Sequence, residues 1–237
     1  MAWTQKKDLG GVARYRAAAF SIGTKGYVVC GEGGGLLNDL WEYNPSTNTW
    51  AQKANFSGSV RMAPIAFVVD SRAYVGLGGS YGARFNDLYE YTPSTNTWVQ
   101  KANFPGDGRV GAIAFGIGPI GYIGLGYSSV GLKKDFWRYT PASNSYTQHS
   151  DFPGVARWGA VAFVVGSKAY LGTGEIGSGR ASDFWEYNPS GGVWTQKDSF
   201  AGGTRSVAAG FSDGTYGYLG TGYGDASPAG KKNDLYK

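Results

Sequence analysis

Five arginines recur at one register of the chain: Arg14, Arg61, Arg109, Arg157 and Arg205, spaced 47 residues apart once and 48 thereafter. A guanidinium stays charged and offers a planar fork of donors that fits a carboxylate, phosphate or sulfate. Like charges gathered together become favourable only when an anion or nearby carboxylates compensate them. Two roles follow. The arginines can grip an anionic guest, or each can bond loop carbonyls or an aspartate of a neighbouring repeat; the two roles are compatible. Aspartates keep a similar count, at Asp39, Asp87, Asp135, Asp183 and Asp234.

Near each arginine the sequence places its most variable segments, GEGGGLLN, GGSYGARFN, GYSSVGLKK, GEIGSGRAS and GYGDASPAGKKN. Their first variable positions are Glu32, Gly79, Tyr127, Glu175 and Tyr223, while Tyr15 and Trp158 directly follow two of the arginines. Function on repeat folds concentrates in such loops. Aromatic rings beside polar groups suit a sugar or a peptide, and Glu32 or Glu175 could serve as a general acid/base if the ligand were a substrate. The candidate ligand-binding residues are therefore the five arginines with Tyr15, Glu32, Tyr127, Trp158, Glu175 and Tyr223.

Other chemistries lack their residues. A Ser-His-Asp triad or a histidine-ligated metal needs imidazole in the site, and the one histidine, His149, occupies a position that is Lys6, Lys53, Lys101 or Lys197 elsewhere, where a basic, solvated side chain is expected. The one cysteine, Cys30, excludes an internal disulfide and a thiolate cluster, and it sits in an apolar strand, GYVVCG. The run Gly33-Gly34-Gly35 could cradle phosphate only ahead of a helix, and none is predicted. No metal and no cofactor are expected.

The elements that must hold these residues are read from the repeat. A TW-x-QK context returns at Trp3, Trp50, Trp98, Tyr146 and Trp194, and phenylalanine and tyrosine recur in step at Phe20 and Tyr27, Phe67 and Tyr74, Phe115 and Tyr122, Phe163 and Tyr170, and Phe211 and Tyr218. Within one unit, APIAFVVD, AYVGLGG, DLYEYTP and TWVQKANF are short, β-branched or aromatic runs divided by Gly, Asn, Ser or Pro, which predicts four antiparallel strands. No window carries a sustained helical period, so the class is all-β. A sheet of this size cannot bury both faces alone, and stacked radially such units form propeller blades. Trp41, Tyr43, Trp50 and their counterparts are expected to wedge neighbouring blades together.

The unit resembles a kelch repeat, with the glycine-rich end of its second strand (Gly76-Leu77-Gly78-Gly79), the NDLYEY third strand and the NPSTNTW approach to the fourth. Val29 departs from that pattern where the other units carry glycine. The resemblance covers the whole chain and implies a five-bladed kelch-type β-propeller, one domain over 1–237, with four strands per blade. The chain starts on a fourth strand and stops inside a third, so the ring is expected to close by pairing of the N-terminal strand with the last blade. Kelch-like adaptor domains bind acidic peptides through arginines at the matching strand start, which carries over only to the five arginines. Kelch-like copper oxidases need histidines that this chain does not supply, and the carboxylate–histidine metal site of iron-dependent specifier proteins has no counterpart here.

Composition bounds the rest. Glycine supplies 40 of 237 residues against a usual level of roughly 7%, yet aromatics reach 16%, which excludes a disordered polar chain. No apolar run is long enough to span a membrane, and no signal peptide is recognised, so a soluble protein is expected, with its compartment left open. A net charge of +5 with scattered lysines argues against nucleic acid. The expected function is a monomeric, non-enzymatic binding scaffold, its guest an anionic small molecule, acidic sugar or acidic peptide at an arginine-lined channel mouth. The alternatives are a mutarotase- or lyase-type enzyme acting on an acidic sugar, and an engineered or truncated repeat scaffold with no selected ligand; segments such as NPSTNTWAQKANF and TPSTNTWVQKANF are near-identical.

Overall fold

A computed structural model describes residues 4–225 and 230–237. Among them there is no α-helix, and a single 3-10 turn spans Pro141–Ser143. The chain falls into two compact units, Met1–Gly108 and Arg109–Lys237.

The first unit holds two four-stranded antiparallel sheets, each a simple meander in sequence order. One comprises Ala18–Ile22, Lys25–Glu32, Leu36–Asn44 and Thr49–Lys53; the other comprises Ile65–Val69, Arg72–Gly76, Leu88–Thr92 and Thr97–Gln100. In Ile65–Val69 every second side chain is fully buried and those between are half-buried, as a strand covered on both faces requires. The core gathers Tyr27, Val29 and Leu40 from the first sheet with Ala73, Val75 and Tyr91 from the second, joined by Phe56 from the connection between them.

The second unit repeats this arrangement. Its two four-stranded sheets are Ile113–Ile117, Ile120–Gly124, Phe136–Thr140 and Ser145–His149, then Val161–Val165, Lys168–Gly172, Phe184–Asn188 and Val193–Lys197. Phe115, Tyr122 and Phe136 pack with Leu171 and Tyr187 around Phe152, which stands where Phe56 stands in the first unit. The aromatic wedges behave as expected: Trp194 meets Tyr187 within its own sheet at 4.8 Å and Phe152 of the preceding connection at 5.3 Å, and Trp98 meets Tyr91 and Phe56 in the same way.

Among the described residues the main sheet of the fifth repeat has three strands, Ala209–Ser212, Gly217–Gly220 and Leu235–Tyr236. Its expected fourth strand, residues 3–6, is not formed as such: Trp3 lies outside the described residues and Thr4–Lys6 carry no strand. Lys7 turns instead to the first repeat, where its amide donates to Asn48 Oδ1 and its carbonyl accepts from Trp50 Nε1.

Candidate functional site

The five arginines do not line an open mouth. Arg61, Arg109, Arg157 and Arg205 are buried almost completely, and the side chain of Arg14 is 4% exposed. Each makes a two-pronged pair with the aspartate of its own repeat: Arg14 with Asp39, Arg61 with Asp87, Arg109 with Asp135, Arg157 with Asp183 and Arg205 with Asp234, at 2.5–3.0 Å. The expectation of an aspartate from a neighbouring repeat is corrected, because the first-strand approach and the third strand of one sheet bring the two together.

The same Nη1 also donates to a carbonyl sixteen residues on: Cys30, Leu77, Leu125, Thr173 or Thr221. These five residues share a left-handed backbone, φ between 51° and 61°, which side chains with a Cβ rarely adopt. Each precedes a positive-φ glycine, and at Gly78 an added Cβ would lie 2.7 Å from the Met62 carbonyl. The second strand thus kinks where it leaves the sheet, and the arginine clamps the kink. Room for the guanidinium comes from small residues: a Cβ on Gly154 would sit 2.5 Å from the Phe152 ring and 2.9 Å from Arg157 Nη2. Phe152 stacks on Arg157 at 4.8 Å, and Phe56 on Arg61 at 4.6 Å.

The backbone of the arginine reaches the other way. Arg61 N donates to Leu37 O and Arg61 O accepts from Gly31 N, both of the preceding repeat, and Arg157 makes the matching bonds with Lys133 and Gly126. Arg61, Arg157 and likewise Arg205 are joints whose main chain holds one repeat and whose side chain holds the next. Electrostatics agree with the geometry. Burial by itself would raise the Asp183 carboxyl, and bonds from Arg157 and Trp185 outweigh it and hold the group below its usual range; Asp39 and Asp135 behave alike. At Asp234 the Arg205 bonds lead. Arg205 Nε alone in the fifth clamp is buried without a partner among the described residues.

The variable positions land beside the clamps in a definite pairing. The residue after each arginine bridges the first residue of the loop: Tyr15 to Glu32, Met62 to Gly79, Val110 to Tyr127, Trp158 to Glu175 and Ser206 to Tyr223. In the first unit Tyr81 donates to Glu32 Oε1 at 3.0 Å, Arg16 stands 3.9 Å from Oε2, and Tyr15 is exposed. The Tyr15 and Tyr81 phenols are raised, first by their hydrogen bonds to Glu32. In the second unit a cleft of about 370 Å³ is lined by Tyr127, Leu132, Trp158, Glu175, Ile176 and Gly177. Beside it Arg180 pairs with Asp225, donates from Nε to Ser206 Oγ at 3.1 Å and lies over the Tyr223 ring at 4.7 Å. Tyr127, Trp158 and Glu175 therefore share a site, Tyr223 flanks it, and Tyr15 and Glu32 form a separate cluster in the first unit.

Residues 13–57 match the Kelch motif family. The chain carries a kelch repeat. Among solved structures it is similar to YjhT, with 16% identity, a TM-score of 0.85, and coverage of 99% of this chain and 84% of that one. At that identity the likeness establishes the fold, which is all-β and of the kelch-propeller type. No curated protein matches the chain. The motif spans Arg14, its kinked partner Cys30 and Asp39, so the kelch match coincides with one complete clamp.

Cys30, three lysines and His149 behave as their sequence context only partly indicated. Cys30 is buried, and burial pushes its thiol up to about 12. Lys53, Lys101 and Lys197 are not simply solvated: each pairs with a third-strand glutamate, Glu42, Glu90 or Glu186. His149, at the matching position, places Nδ1 3.0 Å from the Tyr187 hydroxyl of the next repeat. Among the described residues no three His, Cys, Asp or Glu side chains form a metal cluster, and no helix is long and apolar enough to cross a membrane.

Proposed function

We propose that this protein is a non-enzymatic binding scaffold whose ligand seat is the cleft between Tyr127 and Trp158. The kelch-type fold supports a scaffold, and the observation that carries the seat is the joint lining of one cleft by two aromatic rings and the Glu175 carboxylate. The rings offer flat apolar faces to the C–H side of a sugar, and the carboxylate accepts from hydroxyls. A neutral sugar suits this lining better than an acidic ligand. The clamp arginines already spend their forks on aspartates, and Arg180 is drawn to Asp225.

A panel of neutral oligosaccharides, followed by calorimetry on the best binder, tests the reading. Trp158→Ala is expected to weaken binding about tenfold or more with the fold intact. Absence of binding across the panel by the folded protein, or binding indifferent to both Trp158→Ala and Glu175→Gln, would sink it. Turnover of any bound sugar that disappears in Glu175→Gln would instead establish an enzyme.

A further inference from the structure

A second feature sits at the sheet end remote from the clamps, and it is legible only by laying the repeats over one another. In the first, second and fourth repeats a third-strand glutamate collects three donors. Glu42 accepts from Tyr27 at 2.7 Å and Lys25 at 2.9 Å, with Lys53 3.6 Å away. Glu90 is held by Tyr74, Arg72 and Lys101, and Glu186 by Tyr170, Lys168 and Lys197. Each carboxylate is half-buried or less exposed still, and each sits among two cations and a phenol.

The third repeat keeps the phenol, Tyr122, but replaces the glutamate by Arg138, the first cation by Ile120 and the second by His149. Register puts these groups on one face of the sheet: Tyr122 pairs with Arg138, and Phe136, two residues before Arg138, pairs with His149. The next sheet covers that face with Tyr187, whose ring lies 5.4 Å from Tyr122 and whose hydroxyl takes His149 Nδ1. Among the described residues the Tyr122 hydroxyl and the Arg138 guanidinium have no hydrogen-bond partner and Arg138 makes no ion pair; its Nε is buried. Two of the three positions from which sibling sites direct donors at a carboxylate still carry donors here, Tyr122 and His149, and a guanidinium stands in the carboxylate's place.

We propose that Tyr122, Arg138 and His149 form a binding site for a small oxyanion, a sulfate, phosphate or carboxylate group that completes the cluster from outside the chain. The guanidinium supplies the charge and the fork, the phenol one directed donor, and imidazole Nε2 the remaining position. This site is distinct from the Trp158 cleft and stands whether or not that cleft binds sugar.

His149 is the one histidine of the chain, so its ring protons report on this site without assignment. Burial first, then the Arg138 charge, lowers its pKa below the ordinary histidine value. Arg138 is the charged group acting on it; Tyr122 and, from the next sheet, Tyr187 are the titratable neighbours, both held neutral by phenol pKa values raised through burial. A seated anion must offset Arg138 and favour the imidazolium. The experiment is a proton-NMR titration of His149 in chloride and in sulfate at equal ionic strength. Sulfate is expected to raise the midpoint by about one pH unit, saturably, below roughly 100 mM. In Arg138→Gln, and in Arg138→Glu, which restores the sibling carboxylate, the sulfate effect is expected to vanish. A midpoint indifferent to sulfate in the unaltered protein, a shift that never saturates, or an equal shift in a folded Arg138 variant would each overturn the proposal. Acetate in place of sulfate then distinguishes a carboxylate preference from a doubly charged one.

Discussion

The clamps and the loop crests lie side by side in every repeat, yet the first are built from the same groups five times and the second differ each time. At the clamp an arginine, an aspartate, a kinked carbonyl and, in at least three repeats, a stacked phenylalanine recur at matching distances. One residue further along, the pairs are Tyr–Glu, Met–Gly, Val–Tyr, Trp–Glu and Ser–Tyr. The contrast teaches where selection for shape ends. A guanidinium buried against its own carboxylate and a left-handed carbonyl has no freedom to change, whereas a bridge pair in front of it needs only backbone hydrogen bonds and leaves its side chains free to meet a ligand.

The sharpest way to break this contrast is Arg157→Ala. It strands the Asp183 carboxylate and releases the Thr173 kink, and it is expected to cost about 3–5 kcal/mol, read as a lowered urea midpoint. Arg157→Lys restores the charge without the fork and should recover only part of the loss. Next in size is Leu40→Ala, a fully buried side chain of the first unit, at about 2–5 kcal/mol by the same measurement.

Acid addresses four of the clamps together. Asp39, Asp135, Asp183 and Asp234 are depressed in the folded state, as is Glu42, and Glu186 is drawn down to about 2, by Lys168 first. Depressed carboxylates contribute stability that is complete above their unfolded values and fades as pH falls through the folded ones. Stability is therefore expected to be flat near neutrality and to decline below about pH 4, a trend that denaturant melts between pH 7 and 2 will follow. At the crest the expectation inverts: Trp158→Ala should cost less stability than Arg157→Ala, about 1 kcal/mol, while weakening ligand binding about tenfold or more.

The smallest effect concerns Gly192. Asn48, Asn96 and Asn144 occupy the matching turn position with φ of 48–54°, each accepting from a tyrosine hydroxyl, while Gly192 holds φ 63°. A Cβ there meets the His149 ring, Nδ1 at 3.5 Å and Cε1 at 3.9 Å. Gly192→Asn restricts the unfolded chain but carries a Cβ into a left-handed φ, so stability is expected to stay within about 1 kcal/mol of the parent while the Tyr187 bond transfers from His149 to the new amide. A thermal melt reads the first effect and the His149 resonances the second.

Much of this was legible beforehand because a repeat multiplies every signal. The four strands of each of the first four repeats and the placing of Glu175 near an arginine that Trp158 follows both came from spacing and alternation. The depth of the arginines did not. Spacing puts Arg61 at the entrance to a strand, but only the kink at Leu77, a residue with no glycine signature, turns a carbonyl toward it and draws the guanidinium inward. The charge reversal at Arg138 was visible as a letter and silent as a fact, since its meaning depends on knowing that Glu42, Glu90 and Glu186 gather three donors each from the segments on either side.

The bond between Tyr187 and His149 has a consequence for how such a chain can be rearranged. Its two ends belong to different repeats, and each compensates a departure in the other: a turn without asparagine in the fourth, a strand without lysine in the third. Copies that began as equivalents have become a matched pair. A chimera that moved the fourth repeat behind the first would place Lys53 where His149 stands, and would set the Tyr187 hydroxyl against an ammonium, which only donates, where an imidazole nitrogen can take either role.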